Sequence, residues 1–289
     1  MIVDNMKYIN QPAIKWTGSK RPQSKEIIKA FPNYINTYYE PFCGGCSVLC
    51  ALLQSDIKAN HFECSDLNKD LINLWNTIKS NHKELIKAYI DMWNELNKDN
   101  NQERRNSYYY KVRERLNKFH NPIDFNFIMR NSVNGMARYN SKGDFNSSFH
   151  FTRKGINPIN FESIINSWNL LLNQFNVDFI CRDYKDIHPN KNDYLYLDPP
   201  YANTKGLYFG GIDLDELWEW LRNIPCKYSL SFDGSIGNKD LSFDIPKDIY
   251  DEHIFIESGK SSFRRLINSV KENKNSKVYE SLYITNKLI

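Results

Sequence analysis

The order of elements in this chain predicts an α/β fold, a doubly wound sheet interrupted by a mostly helical insertion. Three observations carry that prediction. A strand, a glycine turn, a helix, a strand and an acid follow one another between residues 37 and 66, helical spacing dominates from Asn76 to Phe175, and apolar strands return at Val177 and Tyr194.

Between Pro22 and Pro32, Ile27, Ile28 and Phe31 share one side of the stretch Ser24 to Phe31, which predicts a short helix closed by proline at each end. Thr37-Tyr38-Tyr39-Glu40-Pro41-Phe42 is aromatic and β-prone, and it runs into the turn Cys43-Gly44-Gly45-Cys46. Ser47 is placed to cap a helix that runs through Leu53. His61 to Ser65 reads as a second strand ending at Asp66, with helix again from Asn68. Farther on, Leu85, Tyr89, Trp93 and Leu96, then Tyr108, Val112 and Leu116, recur at helical intervals, while the polar segment Asn97 to Asn106 reads as a loop. Asn131 to Asn157 keeps no helical period. Its turn signal Ser141-Lys142-Gly143-Asp144, flanked by Arg138-Tyr139-Asn140 and Phe145-Asn146, predicts a β-hairpin. Strands follow at Val177–Cys181 and Tyr194–Leu197, a helix on Leu214, Leu217 and Leu221, and strands at Lys227–Phe232 and Val278–Ile284. The expected organisation is one α/β domain, residues 1–75 and 166–289, split by an insertion at 76–165.

Composition bounds the function. A chain of 289 residues, 41% hydrophobic and 25% charged, is not disordered as a whole. Its most apolar run, Val48 to Leu53, is far shorter than the roughly 20 residues of a membrane span, and the first ten residues lack a signal pattern, so a soluble, cytoplasmic protein with no membrane partner is expected. Six cysteines are too few for a disulfide scaffold, and Cys43, Cys46 and Cys50 lack the paired spacing of a zinc site, so no metal is expected. A net charge of +4 permits a nucleic-acid partner without demonstrating one.

The tetrapeptide Asp198-Pro199-Pro200-Tyr201 stands where an apolar strand stops, the place where doubly wound sheets bind ligands. Two prolines stiffen the backbone and contribute no N–H, so the Asp198 carboxylate and the Pro199 carbonyl form a rigid acceptor pair suited to an exocyclic amino group. Tyr201 offers a flat face for a base taken out of its stack. Alone, the tetrapeptide reads equally well as a stiff turn. Upstream, the glycine turn after Glu40-Pro41-Phe42 and the carboxylate of Asp66 about 20 residues on repeat the layout of a nucleotide site, where the acid reaches ribose hydroxyls.

Together with Lys15-Trp16-Thr17-Gly18-Ser19-Lys20, the hairpin Arg138 to Asn146, and an ending that includes Ser261-Ser262 and Leu282 to Asn286, these motifs resemble the DNA adenine N6-methyltransferase family over nearly the whole chain. The order is cofactor motifs, target-recognition insert, catalytic motif. The resemblance implies a Rossmann-like methyltransferase sheet and S-adenosylmethionine as cofactor. Trp16 would lie near its adenine, Lys20 near its carboxylate end, Phe42 and Gly44 beside it, Asp66 on the ribose and Asp183 near the adenine. Without the family, Trp16 reads as core, Lys20 as a solvated charge and Asp183 as a surface acid. It also implies that Asp198, with Pro199 and Tyr201, presents a flipped adenine N6 to the methyl group, with Asp198 close to the cofactor as well.

In the hairpin, Arg138 and Asn140 have the bidentate geometry that reads guanine and adenine, Lys142 meets phosphate or base, and Tyr139 can wedge into a stack, with a solvated surface charge as the plainer alternative for Arg138 and Lys142. The resemblance adds Lys15 as a DNA contact, double-stranded DNA as partner, GATC as target, and a restriction endonuclease as companion. Cys46 stands where the family often has a third glycine, so a side chain is expected to crowd the cofactor. A DNA-binding module with weakened cofactor binding is therefore one alternative, and cytosine N4 methylation is the other.

Overall fold

All four residues of the strand Tyr194–Leu197 are buried, which requires cover on both faces and places this strand inside a sheet. The computed structural model describes residues 9, 11–200, 212–236, 239–240, 244–257 and 277–286; Tyr201, Ser261 and Ser262 lie outside them. In chain order the elements are α1 (Ser24–Ile27), β1 (Tyr34–Glu40), α2 (Ser47–Leu53), β2 (Lys58–Asp66), α3 (Lys69–Ser80), α4 (His82–Asn97), α5 (Gln102–Phe119), α6 (Pro122–Asn131), α7 (Pro158–Asn173) and β3 (Val177–Cys181). They continue with β4 (Tyr194–Leu197), α8 (Leu214–Asn223), β5 (Lys227–Ile236), β6 (Lys239–Asp240), β7 (Glu252–Glu257) and β8 (Val278–Ile284).

The sheet runs β3-β2-β1-β4-β5-β8-β7, with the short β6 paired to β5. Neighbours from β3 to β5 are parallel, and β8 is antiparallel to both β5 and β7. The order reverses direction between β1 and β4, which leaves a crevice outside their carboxyl ends. The doubly wound sheet expected from the sequence is therefore present, with an antiparallel strand added near its far edge.

A single core passes from the sheet into the helical layer, because Trp75 of α3 packs between Trp168 of α7, centroids 5.0 Å apart, and Phe179 of β3, stacked at 5.3 Å. Its indole N–H donates to the Gly44 carbonyl at 2.9 Å, which ties this core to the glycine turn. Arg130 of α6 is buried too, its guanidinium over the Phe161 ring and bonded to the Ala13 carbonyl. No helix among the described residues is long and apolar enough to cross a membrane.

Three local expectations are corrected. The loop expected at Asn97 to Asn106 shrinks to four residues, because the Asn101 side chain accepts from the Arg104 N–H and starts α5 at Gln102. Ser47 is not a cap but the first helical residue. Its hydroxyl pairs with Ser19 at 2.6 Å, and Cys46, in the left-handed region at φ 50°, precedes the helix. The hairpin closes through isolated antiparallel bridges, Tyr139 to Phe145 and Ser132 to Phe149, rather than through extended strands, and side chains of α5 take the Phe145 and Ser147 carbonyls beside them.

Replacing Trp75 with Phe leaves the Gly44 carbonyl without its donor and opens space between two aromatic rings. Urea denaturation is expected to show a loss of about 1–3 kcal/mol, and an unchanged midpoint would remove Trp75 from the support of the turn.

Candidate active site

Parallel strands end on one side, so the residues that follow them meet there. Asp183 follows β3, Asp66 ends β2, Phe42 to Gly45 follow β1 and Asp198 follows β4, and all of these border one cavity of about 190 Å³. Trp16 and Lys20 enter it from the N-terminal segment, and Ala137 and Tyr139 enter from the hairpin.

Gly44 has φ +44°, and a Cβ there would fall 2.7 Å from the Trp16 indole nitrogen, so only glycine lets the indole lie on the turn. Its N–H donates to one Asp66 oxygen at 3.2 Å, and the Asn68 N–H donates to the other at 2.9 Å. Burial pushes the Asp66 carboxyl up to about 6, against these backbone bonds, which hold it down. Phe42 packs on Tyr184 with centroids 5.5 Å apart, and Asp183 accepts from the Lys185 N–H.

Lys20 is buried, not solvated, and its Nζ lies 2.6 and 2.7 Å from the two Asp198 oxygens, with Glu280 of β8 at 3.8 Å. Burial alone lowers a lysine pKa, but these carboxylates outweigh it and hold the ammonium charged, above the ordinary lysine range. Glu40 at the end of β1 accepts from the Tyr38 hydroxyl at 2.8 Å and the Leu49 N–H at 3.0 Å, and burial pushes it up to about 8 in spite of both.

Cys46 is fully buried, a free thiol in the same core as Cys43 and Cys64, and it is not among the residues that border the cavity. The residue has a left-handed backbone, and its side chain lies in the core rather than on the cavity wall.

Among the hairpin residues, Arg138 and Lys142 are exposed, and Asn140 builds the turn by accepting from the N–H groups of Lys142 and Asp144, each at 2.9 Å. Tyr139 faces inward, where its hydroxyl accepts from the Asn68 side chain at 2.8 Å. The Lys15 stem lies over Gly135, and its Nζ is buried with no hydrogen-bond partner among the described residues.

One stripe of α5 was not anticipated from the sequence. Arg105, Tyr109, Arg113 and Asn117 recur every four residues, so they share one helix face. They hold the backbone of the hairpin segment: Arg105 donates to the carbonyls of Phe151 and Arg153, Tyr109 to Ser147, and Arg113 to Asn146 and Ser147, while Asn117 both donates to and accepts from Phe145. The available signal was a polar i, i+4 stripe on a helix preceding a segment without a period of its own.

Sheet order, glycine turn and acids at successive strand ends define a Rossmann-like methyltransferase sheet. Residues 16–220 match the D12 class N6 adenine-specific DNA methyltransferases, and the chain belongs to that family. It is 32% identical over 207 residues to the Type II methyltransferase M.MjaIII of Methanocaldococcus jannaschii, covering 66% of this chain and 69% of that protein. Its identity to the DNA adenine methylase of Haemophilus influenzae is 32% over 204 residues, 68% of this chain and 65% of the relative. The Escherichia coli K12 DNA adenine methylase is 31% identical over 199 residues, 67% and 66% of the two chains. The chain thus spans about two thirds of the length of these relatives.

Because the folded Glu40 pKa lies above its ordinary value, its contribution to stability is present below about pH 4.5 and is lost as pH rises through about 8. Glu40→Gln is expected to flatten that loss in denaturant titrations run across this range. A variant with the wild-type pH slope would mean that Glu40 titrates normally.

Proposed function

We propose that this chain transfers a methyl group from S-adenosylmethionine to N6 of an adenine flipped out of duplex DNA at a specific site. The observation that carries this reading is the meeting, in one cavity at the switch point, of Asp198-Pro199-Pro200 with Asp66, Trp16 and the glycine turn. The wall fits the cofactor's chemistry. It offers aromatic faces at Trp16 and Phe42 for a base, half-buried Asp66 for ribose hydroxyls, Asp183 at the neighbouring strand end, and Lys20, already paired with Asp198, at the end assigned to the cofactor carboxylate. When bound, S-adenosylmethionine supplies an electrophilic methyl group on a sulfonium.

The residues of the chain position the nucleophile. The N6 lone pair is delocalised into the adenine ring, and N–H hydrogen bonds to the Asp198 carboxylate and the Pro199 carbonyl favour the tetrahedral nitrogen in which that pair is free to attack. Lys20 balances the Asp198 charge, so the site holds an ionised acceptor without a net buried charge from this pair. Holding N6 in line with the methyl group is worth several kcal/mol of barrier. Tyr201 is assigned the stacking face for the flipped base.

Residues 1–75 and 166–289 carry the chemistry in this reading, and 76–165 reads DNA through the exposed Arg138 and Lys142 on the turn that Asn140 shapes, with GATC as the proposed target. The Type II name of one relative supports a companion restriction endonuclease.

Incubation of the full chain with labelled S-adenosylmethionine and mixed-sequence duplex, then digestion and mass spectrometry, is expected to place the label in N6-methyl-2′-deoxyadenosine. Label on cytosine N4 would change the base, and no label with DNA still bound would leave a binding module. Asp198→Ala is expected to lower turnover by about 10²-fold or more with DNA affinity retained; retained turnover would sink its role. Arg138→Ala is expected to relax discrimination at one position by about 1–3 kcal/mol. Lys142→Ala is instead expected to weaken binding to all sequences and reduce the salt slope by about 1. Binding isotherms on variant sites and salt series separate the two, and exchanged phenotypes would reverse the assignments.

A further inference from the structure

The hairpin arm that includes Arg138 and Asn140 is also a wall of the cofactor cavity. Side chains of an extended arm alternate, and here Arg138 and Asn140 are exposed while Ala137 and Tyr139 border the cavity. Tyr139 is fixed there by two different contacts. Its ring meets Phe145 edge-on with centroids 5.5 Å apart, and its hydroxyl accepts from the Asn68 side chain at 2.8 Å.

Asn68 has three engagements within one turn of chain. Its N–H donates to Asp66 Oδ1 at 2.9 Å, its side-chain oxygen accepts from Leu71 N–H at 3.1 Å and caps α3, and its side-chain nitrogen holds Tyr139. Asp66 in turn accepts from the Gly44 N–H. A continuous chain of hydrogen bonds therefore leads from the glycine turn through the ribose-facing acid to the recognition arm. We propose that the Asn68–Tyr139 hydrogen bond couples occupancy of the cofactor cavity to the position of the DNA-reading arm, with Tyr139 acting as a positioning residue. This rests on the reading of the hairpin as the DNA reader.

Coupling of this kind is reciprocal, so one ratio measures it: the affinity for S-adenosylhomocysteine with saturating duplex of the methylated sequence, divided by the affinity without DNA. Titration calorimetry on the full chain gives both. In the wild type the ratio is expected to exceed about fivefold. In Tyr139→Phe, which keeps the ring and removes the hydroxyl, it is expected to fall below about twofold. Phe145→Leu loosens the ring packing but keeps the hydroxyl, and is expected to weaken DNA binding while keeping the wild-type ratio. A Tyr139→Phe ratio equal to wild type overturns the proposal, as does an equal fall in Phe145→Leu, which would make general loosening of the hairpin the cause. A wild type that methylates adenine yet has a ratio near one overturns the coupling alone. A wild type that transfers no methyl group to adenine overturns the underlying reading and the coupling with it.

Discussion

A lysine ammonium removed from water must be met by carboxylates, and the placement of Lys20 is governed by that requirement. Its partner is Asp198, 178 residues away, with Glu280 behind it. The N-terminal segment therefore has one favourable seat, over the end of β4, and taking it brings Trp16 onto the glycine turn after β1. The same pair that anchors the segment also orders the acceptor carboxylate. The pair therefore ties the segment before β1 to the end of β4, with β8 contributing Glu280 to the same cluster.

The helical layer does comparable work for residues 132–157. Residues 132–157 have little regular structure of their own, so their backbone groups need partners from outside. The stripe on α5 supplies them, and Arg105 is buried for this purpose with its guanidinium spent on carbonyls. An irregular loop held by side chains of a long helix keeps a defined shape while leaving Arg138 and Lys142 exposed. The continuous core through Trp75 and Trp168 then transmits that placement to the sheet.

The sheet was legible in the sequence because β4 is apolar throughout and β1, β2 and β4 run into a glycine turn, an acid or prolines. Asp198, Asp66 and the glycine turn were legible for the same reason, since each stands at a strand end. What escaped depended on contacts between distant segments. Nothing local to Lys20 distinguishes a buried ion pair from a solvated charge. Tyr139 read as a wedge because its neighbours are DNA-reading types, whereas the alternation of the arm turns it toward Asn68, 71 residues away. The start of α5 was hidden because Arg104 and Arg105 look like loop residues until Asn101 caps the helix. Cys46 was judged by the side chain it adds, whereas that side chain lies in the core rather than on the cavity wall.

Three aspartates, at the ends of β3, β2 and β4, differ in environment within one cavity. Asp183, half-buried, spends an oxygen on a local turn and remains open to the cavity. Asp66 is held by two backbone N–H groups, one on each oxygen, and borders the cavity. Asp198 alone has a cation against both oxygens. A carboxylate held in that way keeps its orientation and its charge together, which suits the acceptor role proposed for it. The position of each acid follows from the strand order, but the division of labour among them follows from what the rest of the chain places beside each one.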